Sequence, residues 1–201
     1  MIKKIILYSL FSLFIFSSIY FFLNKDYYQN TTVQKIENQE ALPGGHFKLI
    51  KQDGTVFDSE ISNKLMLIYF GFTYCPDVCP TTLIKMADVI DRLGDDALKV
   101  NSIFISVDPE RDNVETINDY VSAFHNQIIG LTGNEEQISN VAKDWGVYYQ
   151  KEFIDGLTEY TVNHLDIIFL ANANGEFIDF FPPKIQSALI VEKVRNLIKS
   201  D

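Results

Sequence analysis

Two cysteines, Cys75 and Cys79, stand where an apolar run meets an amphipathic segment, and this junction constrains the fold more than any other feature of the chain. Residues 65–71 (Leu-Met-Leu-Ile-Tyr-Phe-Gly) form a short apolar run of the kind that fills a buried β-strand. Residues 80–93 repeat apolar side chains at helical spacing, at Leu83, Met86, Ala87, Ile90 and Leu93. The pattern predicts a strand that leads through a cysteine loop into a helix.

Both thiols are therefore expected at or near the N-terminus of that helix. Unpaired backbone N–H groups and the helix dipole favour thiolate over thiol at such a position. Thiolate is the nucleophile of disulfide exchange and also the form that binds soft metal ions. The motif thus indicates either a redox dithiol or a soft-metal site. A structural disulfide is a third interpretation, but a bond that closes so short a loop constrains little of the unfolded chain.

The rest of the sequence alternates strand-like and helix-like segments. Short apolar or alternating runs predict further strands at residues 47–50, 56–57, 99–107, 128–131 and 147–150. Amphipathic segments predict helices at residues 114–124, 134–145 and 185–198. A loop is expected at residues 153–160, and a hairpin is expected from residues 165–170 and 176–181. This order predicts an α/β fold with a mixed central sheet, on the thioredoxin-like plan, in which chemistry collects at strand ends.

The N-terminal part of the chain has the composition of a membrane anchor. Residues 5–23 run for 19 positions without a charge, which is close to the roughly 20 residues of a membrane-crossing helix and longer than the apolar core of a cleaved signal peptide. We therefore predict one N-terminal transmembrane helix within an uncleaved anchor (residues 1–25), then a polar tether (26–42) and the folded domain (43–201). Lys3 and Lys4 predict a cytoplasmic N-terminus. The domain would then lie on the extracytoplasmic (periplasmic) face of the cytoplasmic membrane.

The charge balance restricts the partners of the folded part. The chain carries 17 basic and 27 acidic residues, a formal net charge of −10, and three of its lysines precede Asp26. The remainder is therefore more acidic than the whole chain. An acidic surface disfavours nucleic acid and anionic lipid headgroups as partners, although acidity by itself identifies no partner.

His164 is the residue best placed in the sequence to complete a site with the two cysteines. It stands directly before the strand predicted at residues 165–170, although a lone histidine is more often a half-buried structural residue. Two thiolates and one imidazole form a set of three donors. Structural zinc sites usually take four protein ligands, whereas thiolates select copper(I), and the same set suits copper(II) with a water or a weak fourth donor. Copper is therefore favoured over zinc.

Two acidic residues accompany this candidate site in the sequence. Asp77 lies between the cysteines and is expected to tune their pKa or to make a weak outer contact. Asp108 opens the charged stretch Asp108-Pro109-Glu110-Arg111-Asp112, which follows the strand predicted at residues 99–107. That stretch is interpreted either as a partly ion-paired loop beside the cysteines or as a solvated turn whose shape Pro109 fixes.

Several stretches in order resemble the Sco/SenC family, the copper-binding assembly factors of cytochrome c oxidase. The resemblance covers residues 43 to about 183 and is carried by residues 45–49 (Gly-His-Phe-Lys-Leu), 69–83 (Tyr-Phe-Gly-Phe-Thr-Tyr-Cys-Pro-Asp-Val-Cys-Pro-Thr-Thr-Leu), 107–112 (Val-Asp-Pro-Glu-Arg-Asp), 129–133 (Ile-Gly-Leu-Thr-Gly) and 160–164 (Tyr-Thr-Val-Asn-His). Two positions depart from the family pattern: Tyr74, where members often have His, and Leu165, where they often have Ser or Thr. Neither position is a ligand.

The resemblance implies a thioredoxin-like fold that binds one copper, Cu(I) or Cu(II), through Cys75, Cys79 and His164. It implies delivery of copper to the CuA site of cytochrome c oxidase subunit II, or reduction of that site's cysteine pair, or both. Asp108 is carried over as a loop residue linked to copper handling.

An enzymatic role is the competing interpretation. A thiol–disulfide oxidoreductase or peroxidase would use Cys75 and Cys79 as a redox pair and would need no imidazole. Ordinary thioredoxin-type sites have one residue fewer between the thiols, so the longer spacing and His164 favour a metal carrier over an enzyme. A copper or redox sensor is a third interpretation, but the sequence shows no signalling domain.

Overall fold

A seven-stranded mixed sheet forms the centre of the computed structural model, which describes residues 42–153 and 160–200. Its strands are β1 (Lys48–Lys51), β2 (Val56–Asp58), β3 (Leu65–Gly71), β4 (Val100–Ser106), β5 (Ile128–Thr132), β8 (Ile168–Ala171) and β9 (Phe177–Phe181). They lie in the order β2-β1-β5-β4-β3-β8-β9. β3, β4 and β5 are parallel, and the outer strands are antiparallel to their neighbours. The mixed α/β, thioredoxin-like arrangement expected from the sequence is thus present.

Four helices and a second, smaller sheet complete the described fold. The helices are α1 (Val78–Leu93), α2 (Val114–Ser122), α3 (Glu135–Asp144) and α4 (Ser187–Ser200), and a 3₁₀ turn covers Gly94–Lys99. The second sheet pairs β6 (Tyr149–Phe153) with β7 (Tyr160–His164). α3 begins with a reciprocal capping box between Asn134 and Gln137, which satisfies two backbone N–H groups that a helix start leaves open.

Strands β3 and β4 explain where a site can form. All seven residues of each strand are buried, as expected for parallel strands covered on both faces. They pair in parallel from Leu65↔Val100 to Gly71↔Ser106. The loops that follow the two strands, which carry the cysteines and Asp108, therefore leave the sheet at the same edge. β8 runs antiparallel to β3 with Ile168 opposite Tyr69, so the chain enters β8 at that edge too.

His164 lies at the end of a strand rather than directly before one. We expected His164 at the start of a strand over residues 165–170, but it is the last residue of β7, and β8 begins at Ile168. Residues 160–164 form a strand because they pair in antiparallel register with β6, from Phe153↔Tyr160 to Tyr149↔His164. Tyr160, Val162 and His164 alternate with two polar residues, which is the two-residue period of a strand. Sequence reasoning overlooked this pattern.

The transmembrane helix that was part of the predicted fold class is not found among the residues that the structure describes. Within residues 42–153 and 160–200, no helix is long and apolar enough to cross a membrane. A crossing takes about 20 apolar residues, whereas α1, the longest described helix, has 16 and is amphipathic. The anchor predicted at residues 1–25 and nearly all of the tether predicted at 26–42 lie outside the described residues. The unit from Pro43 to Asp201 is compact.

Candidate metal centre

Three potential metal ligands meet at the edge where β3 ends. Cys75 lies in the loop after β3, Cys79 lies in the first turn of α1, and His164 ends β7. The ligand atoms of these residues all lie within 4.8 Å of one another. The Nε2 atom of His164 is 3.3 Å from the Sγ atom of Cys79, although the residues are 85 positions apart. The structure therefore brings together the three residues that the sequence singled out.

The start of α1 distinguishes the two thiols. The side chain of the N-cap residue, Asp77, makes no capping hydrogen bond, and the backbone N–H of Cys79 instead points to the Sγ atom of Cys75 at 3.5 Å. The pKa of Cys75 is lowered to about 3. The causes are a hydrogen bond from the Cys79 thiol, a second from His164, and the backbone N–H groups of Asp77 and Cys79. The same thiol–thiol hydrogen bond, followed by burial, raises the pKa of Cys79. Cys75 is thus the thiolate of the metal-free pair, and Asp77 contributes through its backbone.

Gly71 allows Cys79 to lie directly against the sheet. A Cβ atom at position 71 would lie 2.9 Å from the Cys79 Sγ atom, 2.9 Å from Phe104 and 3.0 Å from Tyr69. Such distances are shorter than normal van der Waals contact, and all three neighbouring side chains are buried. The glycine that ends the apolar run of β3 is therefore required by the position of the thiol, a role that sequence reasoning missed.

Aromatic rings fix the orientation of the His164 imidazole. The rings of Tyr69 and Phe72 pack edge-on against it, with centroid distances of 6.1 and 5.7 Å. Its Nδ1 atom lies 3.3 Å from the backbone carbonyl oxygen of Leu165. The tautomer with its proton on Nε2 donates to the Cys75 thiolate in the metal-free pair. The tautomer with its proton on Nδ1 donates to the Leu165 carbonyl and leaves the Nε2 lone pair for a metal ion, which is the arrangement typical of a metal-binding histidine.

Tyr69 forms the buried wall behind the site and was also missed. Its hydroxyl group is buried beside Cys79 and Asp166. Burial raises the pKa of Tyr69, and the nearby Cys79 and Asp166 raise it further, so the phenol stays protonated. Asp166, in the connection to β8, also accepts a hydrogen bond from the Thr82 hydroxyl at 3.1 Å.

The loop after β4 is partly buried and ion-paired rather than a solvated turn, although Glu110 at its tip is exposed. Asp108 and Asp112 both have 0% of their surface exposed. Asp112 accepts hydrogen bonds from the Thr73 backbone N–H at 2.9 Å, the Thr73 hydroxyl at 2.5 Å and the Ser106 hydroxyl at 2.5 Å, while burial raises its pKa. Because Thr73 precedes the cysteine loop, Asp112 fixes where that loop begins.

Asp108 belongs to the surroundings of the site and is not a member of the three-donor cluster. Its carboxylate accepts hydrogen bonds from the Arg111 Nε–H at 2.5 Å and from the Tyr160 hydroxyl at 2.7 Å. Because Tyr160 begins β7, Asp108 is connected to the strand that carries His164.

The donor set fits a soft or borderline metal ion better than a structural zinc ion. Among the described residues, the cluster offers two sulfurs and one imidazole nitrogen, whereas structural zinc sites take four protein donors. Both cysteines are free thiols, so dithiol redox chemistry remains open to the same residues.

The fold and the site together define a thioredoxin-like protein with a Cys-Cys-His cluster at the end of its central strand. The family model for SCO1/SenC matches residues 35–199, and the chain belongs to that family. Protein SCO1 homolog 1, mitochondrial, of Arabidopsis thaliana is 42% identical over 144 residues, which cover 71% of this chain but 43% of that protein. A SCO2-like protein of the bacterium Rickettsia felis is 41% identical over 140 residues, covering 69% of this chain and 68% of that protein.

A solved structure shows the same architecture. The crystal structure of Arabidopsis thaliana ScoI with copper bound superposes with a TM-score of 0.72 at 38% sequence identity. The match covers 79% of this chain and 99% of that chain. The family expected from the sequence motifs is thus confirmed.

We expect Gly71→Ala to disturb the Cys79 thiol. The added methyl group has no space between Cys79, Phe104 and Tyr69, and overpacking of this kind typically costs about 1–3 kcal/mol. Denaturant unfolding should show that loss. Gly54→Ala is the control for introducing alanine, since a Cβ there meets nothing within 4 Å, although its φ of +82° adds backbone strain. Disulfide formation between Cys75 and Cys79 should slow in Gly71→Ala alone. A Gly71→Ala variant with parental stability and oxidation rate would contradict the close packing.

We expect the Cys75 thiol to react with iodoacetamide at a nearly constant rate between about pH 5 and pH 8 in the reduced, metal-free protein. An ordinary thiol with a pKa of about 8.5 loses roughly tenfold in thiolate per pH unit over that range, whereas the pKa of Cys75 is lowered to about 3. Peptide mass spectrometry measures the rate. Cys79→Ser keeps a hydrogen-bond donor beside Cys75 and should retain the flat profile, while Cys79→Ala should lose part of it. A tenfold rise per pH unit in the parent would show that Cys75 is an ordinary thiol.

Proposed function

We propose that this protein binds one copper ion through Cys75, Cys79 and His164 and delivers it to the CuA site of cytochrome c oxidase subunit II. The observation that carries the proposal is the convergence of two thiols and one imidazole within 4.8 Å at the end of β3. The donor chemistry supports copper, since thiolates select copper(I) and imidazole suits either oxidation state. The copper-bound Arabidopsis relative supports the same metal, and the family resemblance supports the oxidase as the destination.

The exposure of the ligands supports a carrier that releases its cargo from one side. Cys79 has 0% of its surface exposed, whereas Cys75 has 9% and His164 is half-buried. An acceptor group would therefore approach beside Cys75 and His164, and Cys79 would be the last ligand to dissociate from the metal ion. A low pKa at Cys75 keeps that thiol in its ligand form without a base, so that metal capture does not require proton loss from it.

The second candidate is a thiol–disulfide oxidoreductase, which the lowered pKa of Cys75 favours. In that reaction, the Cys75 thiolate attacks one sulfur of a partner disulfide and the other partner sulfur leaves as a thiolate. The Cys79 thiol then gives its proton to that partner thiolate and attacks Cys75 in the mixed disulfide, and the second partner sulfur leaves as a thiolate. The products are a Cys75–Cys79 disulfide and a partner with two reduced sulfurs, a transfer of two electrons. The CuA-site cysteines of subunit II are the proposed substrate of this alternative.

We also propose an extracytoplasmic location for the folded domain. A lasting disulfide between Cys75 and Cys79, which the oxidoreductase alternative forms, is favoured in an oxidising compartment, because cytosolic reductants keep most thiols reduced.

We expect the reduced domain to bind one Cu(I) per chain and His164→Ala to bind it more weakly. Loss of a ligand should cost at least as much as loss of a group that supports a ligand, which is about 10- to 100-fold in affinity. Anaerobic titration against a competing Cu(I) chelator measures the affinity, and X-ray absorption should show sulfur and nitrogen around the metal. His125→Ala is the matched control, because His125 contacts Asp91 away from the site. Equal affinities of the parent and His164→Ala would remove His164 from the ligand set.

Deletion of the gene should lower cytochrome c oxidase activity, and added copper should restore part of it. A carrier that supplies CuA can be bypassed by excess metal, whereas a thiol reductase cannot. Oxidase activity is measured in the deletion strain under graded copper and, separately, under graded membrane-impermeant reductant, with complementation by the parent or by His164→Ala. Full complementation by His164→Ala would favour the dithiol reaction. Normal activity of the deletion strain in copper-poor medium would exclude a role in oxidase assembly.

A further inference from the structure

Arg111 lies between the cysteine loop and the strand that carries His164. Its guanidinium carbon is 3.8 Å from the ring centroid of Tyr160, the first residue of β7, and 4.8 Å from that of Tyr74, which directly precedes Cys75. Guanidinium groups are attracted to aromatic faces at such distances. One side chain therefore contacts the two segments that supply ligands from opposite parts of the sequence.

Hydrogen bonds close a small network around the same side chain. Arg111 donates from Nε to the Asp108 carboxylate at 2.5 Å and from Nη1 to the Tyr160 backbone carbonyl at 2.8 Å. The Tyr160 hydroxyl donates to the other Asp108 oxygen at 2.7 Å. Only 15% of the Arg111 side chain and none of the Asp108 side chain is exposed. Charge-assisted hydrogen bonds shielded from water in this way are strong and directional.

The β6–β7 hairpin depends on side-chain contacts for its position. Its two strands pair with each other and form a sheet separate from the seven-stranded one. A more exposed ion pair of 2.7 Å between Lys151 in β6 and Glu110 joins the hairpin to the same loop. Exposed ion pairs are weak, so the shielded contacts of Arg111 and Asp108 with Tyr160 are the stronger attachment to this loop.

The geometry points to Arg111 as a positioning residue that sets the distance between the His164 imidazole and the two thiols. β7 is five residues long, so His164 lies about 13 Å along the strand from Tyr160. A strand paired along its whole length moves as one body, and a shift at Tyr160 is therefore transmitted to His164. The inference rests on the proposed function, because it assigns Arg111 to the ligand geometry of that site.

Lysine is the informative replacement for Arg111. It keeps the positive charge beside Asp108, but its single ammonium group cannot stack between two rings while it donates to both Asp108 and the Tyr160 carbonyl. Arg111→Lys should therefore weaken Cu(I) binding by about 10- to 100-fold, the usual effect of losing a group that orients a metal ligand. Arg92→Lys is the matched control, since Arg92 pairs with Asp88 on the exposed side of α1.

A double-mutant comparison separates positioning of His164 from a general structural effect. Cu(I) affinity is measured by anaerobic chelator competition for Arg111→Lys in the parent and in the His164→Ala background. If Arg111 acts through His164, the loss in the parent disappears when the imidazole is absent. An equal loss in both backgrounds, or no loss in the parent, would overturn the proposal. If Arg111→Lys does not fold, Tyr160→Phe takes its place, because it keeps the ring and removes only the hydroxyl group, with its hydrogen bond to Asp108 and its longer one to Glu110.

A measurement on the metal-free protein distinguishes failure of this inference from failure of the proposed function. Amide hydrogen exchange of residues 160–164 should accelerate in Arg111→Lys and stay unchanged in Arg92→Lys. Unchanged exchange in Arg111→Lys would overturn the positioning role whatever the metal does. Equal copper affinity of the parent and His164→Ala would instead overturn the ligand role of His164, and with it the link from Arg111 to copper, even if exchange is accelerated.

Discussion

The parallel pairing of β3 with β4 is the constraint on which the site depends. Both strands are fully buried, and their register from Leu65↔Val100 to Gly71↔Ser106 makes them end together. The cysteine loop and the Asp108–Asp112 loop must therefore leave the sheet side by side. A shift of this register would expose apolar side chains and would also separate Asp112 from Thr73. The stability of the core and the geometry of the site are thus set by the same pairing.

Two nearly adjacent thiols have different chemistry because the helix begins between them. Cys75 receives hydrogen bonds from the first turn of α1 and from the Cys79 thiol, which lowers its pKa, whereas Cys79 lies against Gly71 and Tyr69 in the core. A dithiol with one ionised and one protonated sulfur is suited to disulfide exchange. The same pair beside an imidazole is suited to a soft metal ion. The two candidate functions therefore use one electrostatic arrangement, and the imidazole is the group that separates them.

Sequence reasoning identified the central strand, the helix after the cysteines and the cysteine pair, because each has a strong local signal. His164 has no such signal, and the family motif at residues 160–164 is what supported it. Residues 65–71 are continuously apolar, α1 has helical spacing, and soft donors are rare in this chain. It did not find β7, because a five-residue strand that pairs outside the main sheet has few apolar positions. It also did not find the roles of Gly71, Tyr69 and Arg111. These roles depend on contacts between residues distant in sequence, such as that of Arg111 with Tyr160, which local patterns do not encode.

The separation of His164 from Cys79 by 85 positions has a consequence for the order of events during folding. In an unfolded chain the two thiols are already close neighbours, whereas the imidazole reaches them only after closure of a long loop, which costs more conformational entropy. A metal ion captured before folding would thus be held by two sulfurs alone. The third donor arrives when the β6–β7 hairpin docks, and a metal bound by all three donors stabilises the docked state. With His164 as the third ligand, as proposed, full-strength metal binding is restricted to the correctly folded domain.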